Sequence, residues 1–207
     1  MIKQVKFLAG IYAANTYVVF DDESKDAIII DLGGDHRDIE EYIINNKLNL
    51  KALLLTHGHA DHIAGVPFIK KDTNVDVYIH EDDVELLEDA SKNFSSSMAM
   101  GPIEFSPDFT FKDGDILNFG TIKVKVVSTP GHTKGSVLFI TDVGAFTGDT
   151  LFRQSIGRSD LYGGNEVEIM NSLRNIVMSL PDDMECFPGH GPKTSIGYEK
   201  NHNMFLK

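Results

Sequence analysis

The sequence predicts an α+β fold, a four-layer αββα sandwich in which two sheets pack face to face and helices cover their outer surfaces. Short apolar and β-branched segments form two runs, and each run leads into helical patterns and a further strand. The 207 residues are 42% hydrophobic, which is enough for one substantial core. We therefore expect a single domain over residues 1–207.

The first run predicts a meander, a helix and a strand buried on both faces, followed by two helices around a further strand. The predicted strands are 2–10, 16–20, 27–31, 52–55 and 75–79. The predicted helices are 37–46, 63–70 and 80–90. The acidic side chains of 80–90 are expected to form a solvated face.

The second run repeats this plan from the turn Lys112-Asp113-Gly114-Asp115 onward. Its predicted strands are 116–119, 122–128, 137–140, 145–146 and 183–187, with a hairpin across Gly120-Thr121 and a helix over 167–180. Residues 93–107 mix turn formers with Met and Phe. We expect them to form a mobile loop that borders a substrate entrance.

Composition excludes several classes of function. A net charge of -12 disfavours binding to nucleic acid or to an anionic membrane. The chain contains one cysteine, Cys186, so an intrachain disulfide is excluded and a cytoplasmic location is expected. Cys186 is interpreted as a small buried residue, because its sequence neighbours supply no base that would make it a nucleophile.

Potential metal ligands are concentrated directly after the apolar run 52–55. His57, His59, Asp61 and His62 fall within six residues. Imidazole nitrogen combined with carboxylate oxygen suits zinc or iron better than calcium or magnesium, which prefer oxygen ligands alone. The sequence therefore predicts a metal site where the backbone leaves the buried strand.

Three later segments also end a strand in a candidate ligand beside glycine. They are Pro130-Gly131-His132, Gly148-Asp149-Thr150 and Pro188-Gly189-His190. The seven candidates suggest two metals, the first held by His57, His59 and His132, the second by Asp61, His62 and His190, with Asp149 bridging. The other histidines, His36, His80 and His202, lie outside such contexts and are interpreted as solvent-exposed or structural.

A pair of metals in such a site serves to activate water. A bound metal lowers the pKa of water from about 15.7 to about 7, so a hydroxide nucleophile forms at neutral pH. Ligands without thiolate, with room for water, are typical of catalytic rather than structural sites. Thr56, Ser128 and Thr129 are candidates to orient the imidazole rings.

The ligands His57-X-His59-X-Asp61-His62, His132, Asp149 and His190, in this order, resemble the pattern of the metallo-β-lactamase superfamily. The resemblance spans nearly the whole chain, from Asn15-Thr16-Tyr17 through Asp31-Leu32-Gly33-Gly34 to Pro188-Gly189-His190-Gly191. Within the superfamily, the segments 147–152 and 156–160 are most similar to the glyoxalase II group, particularly its short bacterial members.

The resemblance implies the metallo-β-lactamase fold and two divalent metal ions, with Zn²⁺ first and iron or manganese as alternatives. It also implies hydrolysis of a small-molecule thioester such as S-lactoylglutathione by a metal-bridging hydroxide. Asp61 would hold the second metal and orient the hydroxide, and Asp149 would bridge the metals. Arg158 would bind the carboxylate tail of the substrate, with Tyr162 as its companion.

Other functions on the same fold stay open at this point. Longer glyoxalase II enzymes carry a C-terminal helical extension for glutathione, whereas 193–207 are all that follow the last ligand here, so the carrier thiol is undetermined. A mononuclear iron persulfide dioxygenase would use His57, His132 and Asp149. Lactonase and β-lactamase activities, and a non-catalytic metal-binding module, are further alternatives, although a β-lactamase would be indicated by a cysteine ligand. The oligomeric state is not predicted.

Overall fold

Two six-stranded sheets form the centre of the protein in a computed structural model, which describes residues 1–10, 12–99 and 101–207. In order of hydrogen bonding, the first sheet contains β1 (Ile2–Ala9), β2 (Ala14–Asp21), β3 (Asp26–Ile30), β4 (Asn49–Leu54), β5 (Val77–His80) and β6 (Phe109–Phe111). Strands β1 to β3 are antiparallel, and β3 to β6 are parallel.

The second sheet begins with the hairpin predicted across Gly120-Thr121. Its strands are β7 (Ile116–Phe119), β8 (Ile122–Ser128), β9 (Val137–Thr141), β10 (Gly144–Gly148), β13 (Glu185–Pro188) and β14 (Thr194–Ser195). Between β10 and β13 in the chain, β11 (Leu151–Phe152) and β12 (Ser155–Ile156) form a separate hairpin. Strand β13 pairs parallel with β10 and antiparallel with β14.

Helices cover the outer face of each sheet. They are α1 (Arg37–Asn45), α2 (Ala60–Ile63), α3 (Val66–Thr73), α4 (Val84–Leu87), α5 (Glu166–Asn171) and α6 (Ile196–His202). Short 3-10 turns lie at Glu81–Asp83, Ser95–Ser97, Val177–Ser179 and Met204–Leu206, and a π-helical turn lies at Ser172–Ile176. Among the described residues, no helix combines the length and the apolar composition that crossing a bilayer requires.

Three apolar layers hold these elements together, and they confirm the predicted αββα sandwich. Ile39 of α1 packs on the outer face of the first sheet with Ile29, whose neighbour Ile28 points into the layer between the sheets. This alternation follows from the two-residue period of a strand. Leu173 and Ile196 belong to the third layer, which covers the outer face of the second sheet. Each fully buried Ile or Leu contributes about 1.5–3 kcal/mol to stability.

The helix predicted over 63–70 is wrong in its bounds, because two helices occupy this region. Helix α2 carries Asp61 and ends at Ile63, and α3 begins at Val66. Gly65 separates them, and a Cβ atom there would lie 2.0 Å from the carbonyl oxygen of Gly34. The close backbone contact favours glycine and divides the helical segment.

The acidic helix predicted over 80–90 is also wrong. It consists of a 3-10 turn followed by the single turn α4. Asp83 is fully buried, so its carboxylate does not belong to the solvated face that the sequence suggested. The exposed carboxylates of Glu81 and Asp82 do fit that prediction.

The C-terminal part of the chain differs from the prediction in two respects. The segment predicted as a helix over 167–180 contains the π-helical turn, and the apolar residue Val167 is 69% exposed, whereas Ile169 is buried. The segment 183–187 is not the last strand, because β14 and α6 follow it. Residues 194–202 lack a periodic apolar pattern, since Ile196 is the buried apolar residue of α6.

Candidate metal centre

The seven predicted ligands follow the ends of strands from both sheets. His57, His59, Asp61 and His62 come after β4, in a loop and in α2. His132 follows β8, Asp149 follows β10, and His190 follows β13. The packing of the two sheets therefore brings side chains that are more than 130 residues apart in the sequence into one cluster, which we call the seven-residue cluster.

The first group within the cluster consists of three buried imidazole rings. Nδ1 of His59 lies 2.9 Å from Nε2 of His132, and Nε2 of His57 lies 3.2 Å from the same nitrogen. Ligand atoms bound about 2.0–2.1 Å from a tetrahedral zinc ion are about 3.3 Å apart. The three nitrogens thus have the spacing of metal ligands.

The second group consists of Asp61, His62 and His190. Nε2 of His190 lies 3.1 Å from Oδ2 of Asp61 and 3.4 Å from Nε2 of His62. A Cβ atom at Gly189 would lie 2.2 Å from Oδ1 of Asp149 and 2.6 Å from Cε1 of His62. The glycine before His190 therefore permits the close approach that the sequence pattern suggested.

Asp149 lies between the two groups. Its Oδ1 is 3.3 Å from Nε2 of His62, and its Oδ2 is 3.6 Å from Nε2 of His190 and 3.7 Å from Nε2 of His132. Oδ1 is buried and has no hydrogen-bond partner among the described residues. A buried anionic oxygen without a partner is costly unless a cation binds it, so the residues fit a pair of metal ions.

The electrostatics of the cluster suit cation binding. Burial and the neighbouring rings of His62 and His132 lower the pKa of His57 well below its usual value, and burial with His132 lowers the pKa of His59 to about 3. Both rings are therefore neutral at pH 7, the form that binds metals.

The carboxylates of the cluster are ionised at neutral pH. Burial by itself raises the pKa values of Asp61 and Asp149, but the neighbouring imidazoles, His62 first and then His190 among others, together hold both pKa values below their usual range. Burial also disfavours the charged form of His62, yet Asp149 and Asp31 raise its pKa well above the ordinary value. A metal ion bound at Nε2 of His62 would take the place of a proton.

Three contacts behind the cluster orient its rings. Oδ2 of Asp31 lies 2.9 Å from Nδ1 of His62, the hydroxyl of Thr56 lies 3.1 Å from Nδ1 of His57, and the carbonyl oxygen of Arg158 lies 2.6 Å from Nδ1 of His132. Each contact leaves Nε2 directed at the cluster. The predicted position of Thr56 beside an imidazole is confirmed.

Ser128 and Thr129 do not orient rings of the cluster. The hydroxyl of Ser128 lies 3.1 Å from Nε2 of His80, and that of Thr129 lies 2.8 Å from the hydroxyl of Thr150. The prediction is wrong for both residues, because Ser128 at the end of β8 and Thr129 directly after it contact these other partners. His80 is thus a buried structural histidine, as the sequence suggested.

Two buried carboxylates that support the site were missed. Oδ2 of Asp83 accepts hydrogen bonds from N of Gly58 at 3.0 Å and from the hydroxyl of Thr133 at 2.7 Å, and Oδ1 accepts one from N of Gly135 at 2.7 Å. Asp83 therefore ties the loop of His57 to the loop of His132. The sequence did contain a signal for its burial. Asp83 precedes the buried residues 86 and 87 by three and four positions, and residues with this spacing lie on the same face of a helix.

The second missed carboxylate is Asp31, which follows β3. It accepts hydrogen bonds from N and Oγ1 of Thr56 at 2.8 and 2.7 Å. Because β3 and β4 are parallel neighbours, residues at their carboxyl ends meet at one sheet edge. That placement was the signal that could have identified Asp31 from the sequence.

A cavity of about 430 Å³ opens above the cluster. Its lining residues are Tyr12, His59, Asp61, Asn93, Phe94, Met98, His132, Asp149, Phe152, Ile156, Arg158, Leu161 and His190. Phe94 and Met98 belong to the loop 93–107, which was expected to border a substrate entrance. Part of that prediction falls on Met100, which lies outside the described residues.

The two predicted substrate-binding residues have different surroundings. Arg158 lines the cavity, and its Nε and Nη2 donate to Oδ1 and Oδ2 of Asp160 at 2.7 and 2.8 Å. The hydroxyl of Tyr162 donates to Oε2 of Glu85 at 3.1 Å, and Nζ of Lys92 lies 5.2 Å from its ring centre. Substrate binding by Arg158 and Tyr162 stays a prediction.

Comparison with known proteins gives a consistent picture of the chain's relatives. Residues 9–190 match the model of the family described as "Metallo-beta-lactamase superfamily". The "Probable metallo-hydrolase YqgX" of Bacillus subtilis is 34% identical, over 95% of this chain and 94% of that protein. The "Hydroxyacylglutathione hydrolase GloC" of Haemophilus influenzae is 36% identical, over 94% of this chain and 93% of that protein.

Solved structures show the same relationship. The BLEG-1 B3 metallo-beta-lactamase has a TM-score of 0.93 and 37% identity, with all of both chains covered. The protein TTHA1623, whose crystal structure was determined in a di-iron-bound form, has a TM-score of 0.84 and 31% identity, over 98% of this chain and 100% of that chain.

Proposed function

The chain belongs to the metallo-β-lactamase superfamily, and from this premise we propose that it is a metal-dependent hydrolase that cleaves small-molecule thioesters. The observation that carries the proposal is the position of Asp149 between two groups of ligands, within 3.7 Å of His62, His132 and His190. The relative named as a hydroxyacylglutathione hydrolase supports a thioester as the substrate.

Two divalent ions fit the donor set. His57, His59 and His132 would hold the first, Asp61, His62 and His190 the second, and Asp149 both. When bound, the ions supply an activated water at neutral pH and stabilise the charge that develops on the carbonyl oxygen. Zinc suits these ligands, and the di-iron form of TTHA1623 supports iron as an alternative.

The residues of the chain prepare this chemistry by orientation. Asp31 and Thr56 hold the rings of His62 and His57, and the carbonyl of Arg158 holds the ring of His132. The carboxylate of Asp61 is ionised, partly open to the cavity, and 3.1 Å from His190. It is therefore placed to accept a hydrogen bond from the attacking water and to direct its lone pair at the substrate.

A mononuclear iron dioxygenase that acts on a persulfide is the second candidate. His57, His132 and Asp149 supply two histidines and one carboxylate, the ligand set of non-haem iron oxygenases. Asp61 and His190 form a separate group with His62, outside this three-residue set. Persulfide dioxygenases retain the same residues, so the relatives named as hydrolases, and not the ligand set, favour hydrolysis.

The experiment combines metal analysis with a substrate panel. Protein purified without added metal is analysed for zinc, iron and manganese, and is then incubated with S-lactoylglutathione, neutral thioesters, a lactone and a β-lactam. The β-lactam is included because BLEG-1 is similar to this chain. We expect about two metal ions per chain and cleavage of thioesters, and the Asp149→Ala variant, purified in parallel, should be inactive.

Two results would contradict the proposal. One iron per chain together with oxygen uptake on glutathione persulfide would identify the dioxygenase. Cleavage of the lactone or the β-lactam, without cleavage of any thioester, would keep the metal-dependent hydrolysis and reject the thioester as its substrate.

A further inference from the structure

The walls of the cavity above the cluster are apolar. Six apolar or aromatic side chains from separate parts of the chain line it: Tyr12, Phe94, Met98, Phe152, Ile156 and Leu161. The ring of Phe94 lies 5.7 Å from that of His59, and the ring of Phe152 lies 6.0 Å from that of His190. The apolar surface therefore reaches down to the ligands on both sides of the cluster.

The walls of the cavity offer little free positive charge that could bind an anionic substrate. Among the described residues that line the cavity, Arg158 supplies the cationic side chain, and both of its contacts go to Asp160. The guanidinium lowers the pKa of Asp160 to about 2, so this partner stays ionised at pH 7. The positive charge of Arg158 is therefore already compensated.

Two lysines outside the cavity share the carboxylate of Glu85, and Nζ of Lys92 also lies 4.0 Å from Oδ2 of Asp89. Nζ of Lys92 and Nζ of Lys134 lie 2.9 and 3.0 Å from the carboxylate of Glu85, above the ring of Tyr162. Metal ions held by the cluster would supply positive charge at the floor of the cavity, where the scissile carbonyl has to lie. A carboxylate that reached the floor would compete with that carbonyl for the same position.

From these walls we infer that the preferred substrate is a thioester with an uncharged, apolar acyl chain on a carrier that lacks the two carboxylates of glutathione. The inference rests on the proposed thioester hydrolysis. Each methylene group that moves from water onto the apolar wall should raise kcat/KM two- to four-fold, which corresponds to about 0.4–0.8 kcal/mol. A carboxylate placed against the same wall loses hydration without gaining a free cation.

The first test is a series of acetyl, butyryl and hexanoyl thioesters of N-acetylcysteamine, an uncharged carrier. We expect kcat/KM to rise by about two- to four-fold per methylene group. Equal values across the series would overturn the inference while leaving thioester hydrolysis intact. If no thioester is cleaved, the proposed function fails, and calorimetric binding of unreactive ketone analogues, with methylene in place of sulfur, still tests the wall.

The second test changes the carrier and keeps the acyl group. Hexanoyl-N-acetylcysteamine should be hydrolysed with a kcat/KM about tenfold or more above that of S-hexanoylglutathione, because the two carboxylates of glutathione lack free cations at the wall. A higher value for the glutathione thioester would contradict the inference.

A pair of variants tests whether the apolar wall causes the dependence of kcat/KM on acyl-chain length. Phe152→Ala should weaken binding of the hexyl ketone analogue about tenfold and flatten the chain-length series, with the metal content unchanged. Phe109→Ala is the matched control, since Phe109 is 50% exposed on the edge strand β6, outside the set of cavity-lining residues. Equal binding by Phe152→Ala and the unmodified protein would overturn the role of this wall.

Discussion

Nδ1 of His62 lies 2.9 Å from Oδ2 of Asp31, and both side chains are almost completely buried. Asp31 also accepts hydrogen bonds from the backbone and the hydroxyl of Thr56, which in turn contacts His57. One carboxylate therefore orients a ring of each ligand group, although it faces neither proposed metal position.

The substitution Asp31→Asn should lower metal affinity about 10- to 100-fold. The amide keeps the size of the side chain but removes the charge that fixes the proton on Nδ1 of His62. Competition with a chromophoric chelator measures the affinity, and Asp142→Asn is the control, because Asp142 is exposed on the turn between β9 and β10. Equal affinity of Asp31→Asn and the control would show that Asp31 does not support the metal centre.

The substitution Asp149→Ala should remove metal and reduce hydrolysis by orders of magnitude. Asp149 contacts both ligand groups, so its loss leaves neither proposed ion with a complete set of ligands. Metal content per chain and kcat/KM are measured on the same preparation. Near-normal metal content and turnover would refute the bridging role.

Arg158 and Asp160 form a pair whose two substitutions have opposite expected effects. Arg158→Ala should raise KM for an anionic thioester by a few-fold, with kcat nearly unchanged, because it leaves the carboxylate of Asp160 uncompensated and such exposed charges have small effects. Asp160→Asn should lower the same KM, since it frees the guanidinium. A neutral thioester serves as the control substrate. Unchanged KM values in both variants would assign Arg158 to the surface.

The members of the seven-residue cluster were predictable from the sequence because each is marked locally. His132 and His190 follow Pro-Gly pairs at the ends of strands, and His57 begins a dense group after an apolar run. The sheets were predictable for a different reason, since strands that are buried on both faces, as at Ile28 and Ile29, form short continuous apolar runs between turn residues.

The supporting carboxylates were not predicted, because their role depends on donors that are distant in the sequence. Asp83 receives hydrogen bonds from Gly58 and Gly135, and these partners become visible only when the sheets are packed together. In the sequence, Asp83 has the acidic neighbours of an exposed helix. Helix α6 was missed since one buried isoleucine, Ile196, does not create a period.

Glu199 of α6 connects the C-terminus to the wall of the cavity. Its fully buried carboxylate accepts hydrogen bonds from N of Gln154 at 2.8 Å, from the hydroxyl of Thr194 at 2.5 Å and from Nδ2 of Asn203 at 2.9 Å. Gln154 lies in the turn of the β11–β12 hairpin, whose first strand carries Phe152. The carboxylate therefore holds this hairpin in place.

The substitution Glu199→Ala should destabilise the protein by about 1–3 kcal/mol for each buried donor left unpaired and should raise KM for an apolar thioester. Glu199→Gln keeps one acceptor oxygen, so we expect a smaller change in both quantities. Urea unfolding and steady-state kinetics measure them, with Glu23→Ala as an exposed control. Loss of stability with KM unchanged would limit Glu199 to a structural role.

Cys186 should be unreactive in the folded protein. Burial in β13 raises the pKa of its thiol to about 12, so the thiolate fraction at pH 8 is on the order of one in ten thousand. The folded protein should therefore react with a chromogenic disulfide reagent far more slowly than free cysteine, and one thiol per chain should appear when guanidinium unfolds it. The labelling rate should increase with pH while the fold persists, because the thiolate is the reactive form. Fast labelling of the folded protein at pH 8 would contradict the burial of Cys186 and would make it a candidate nucleophile.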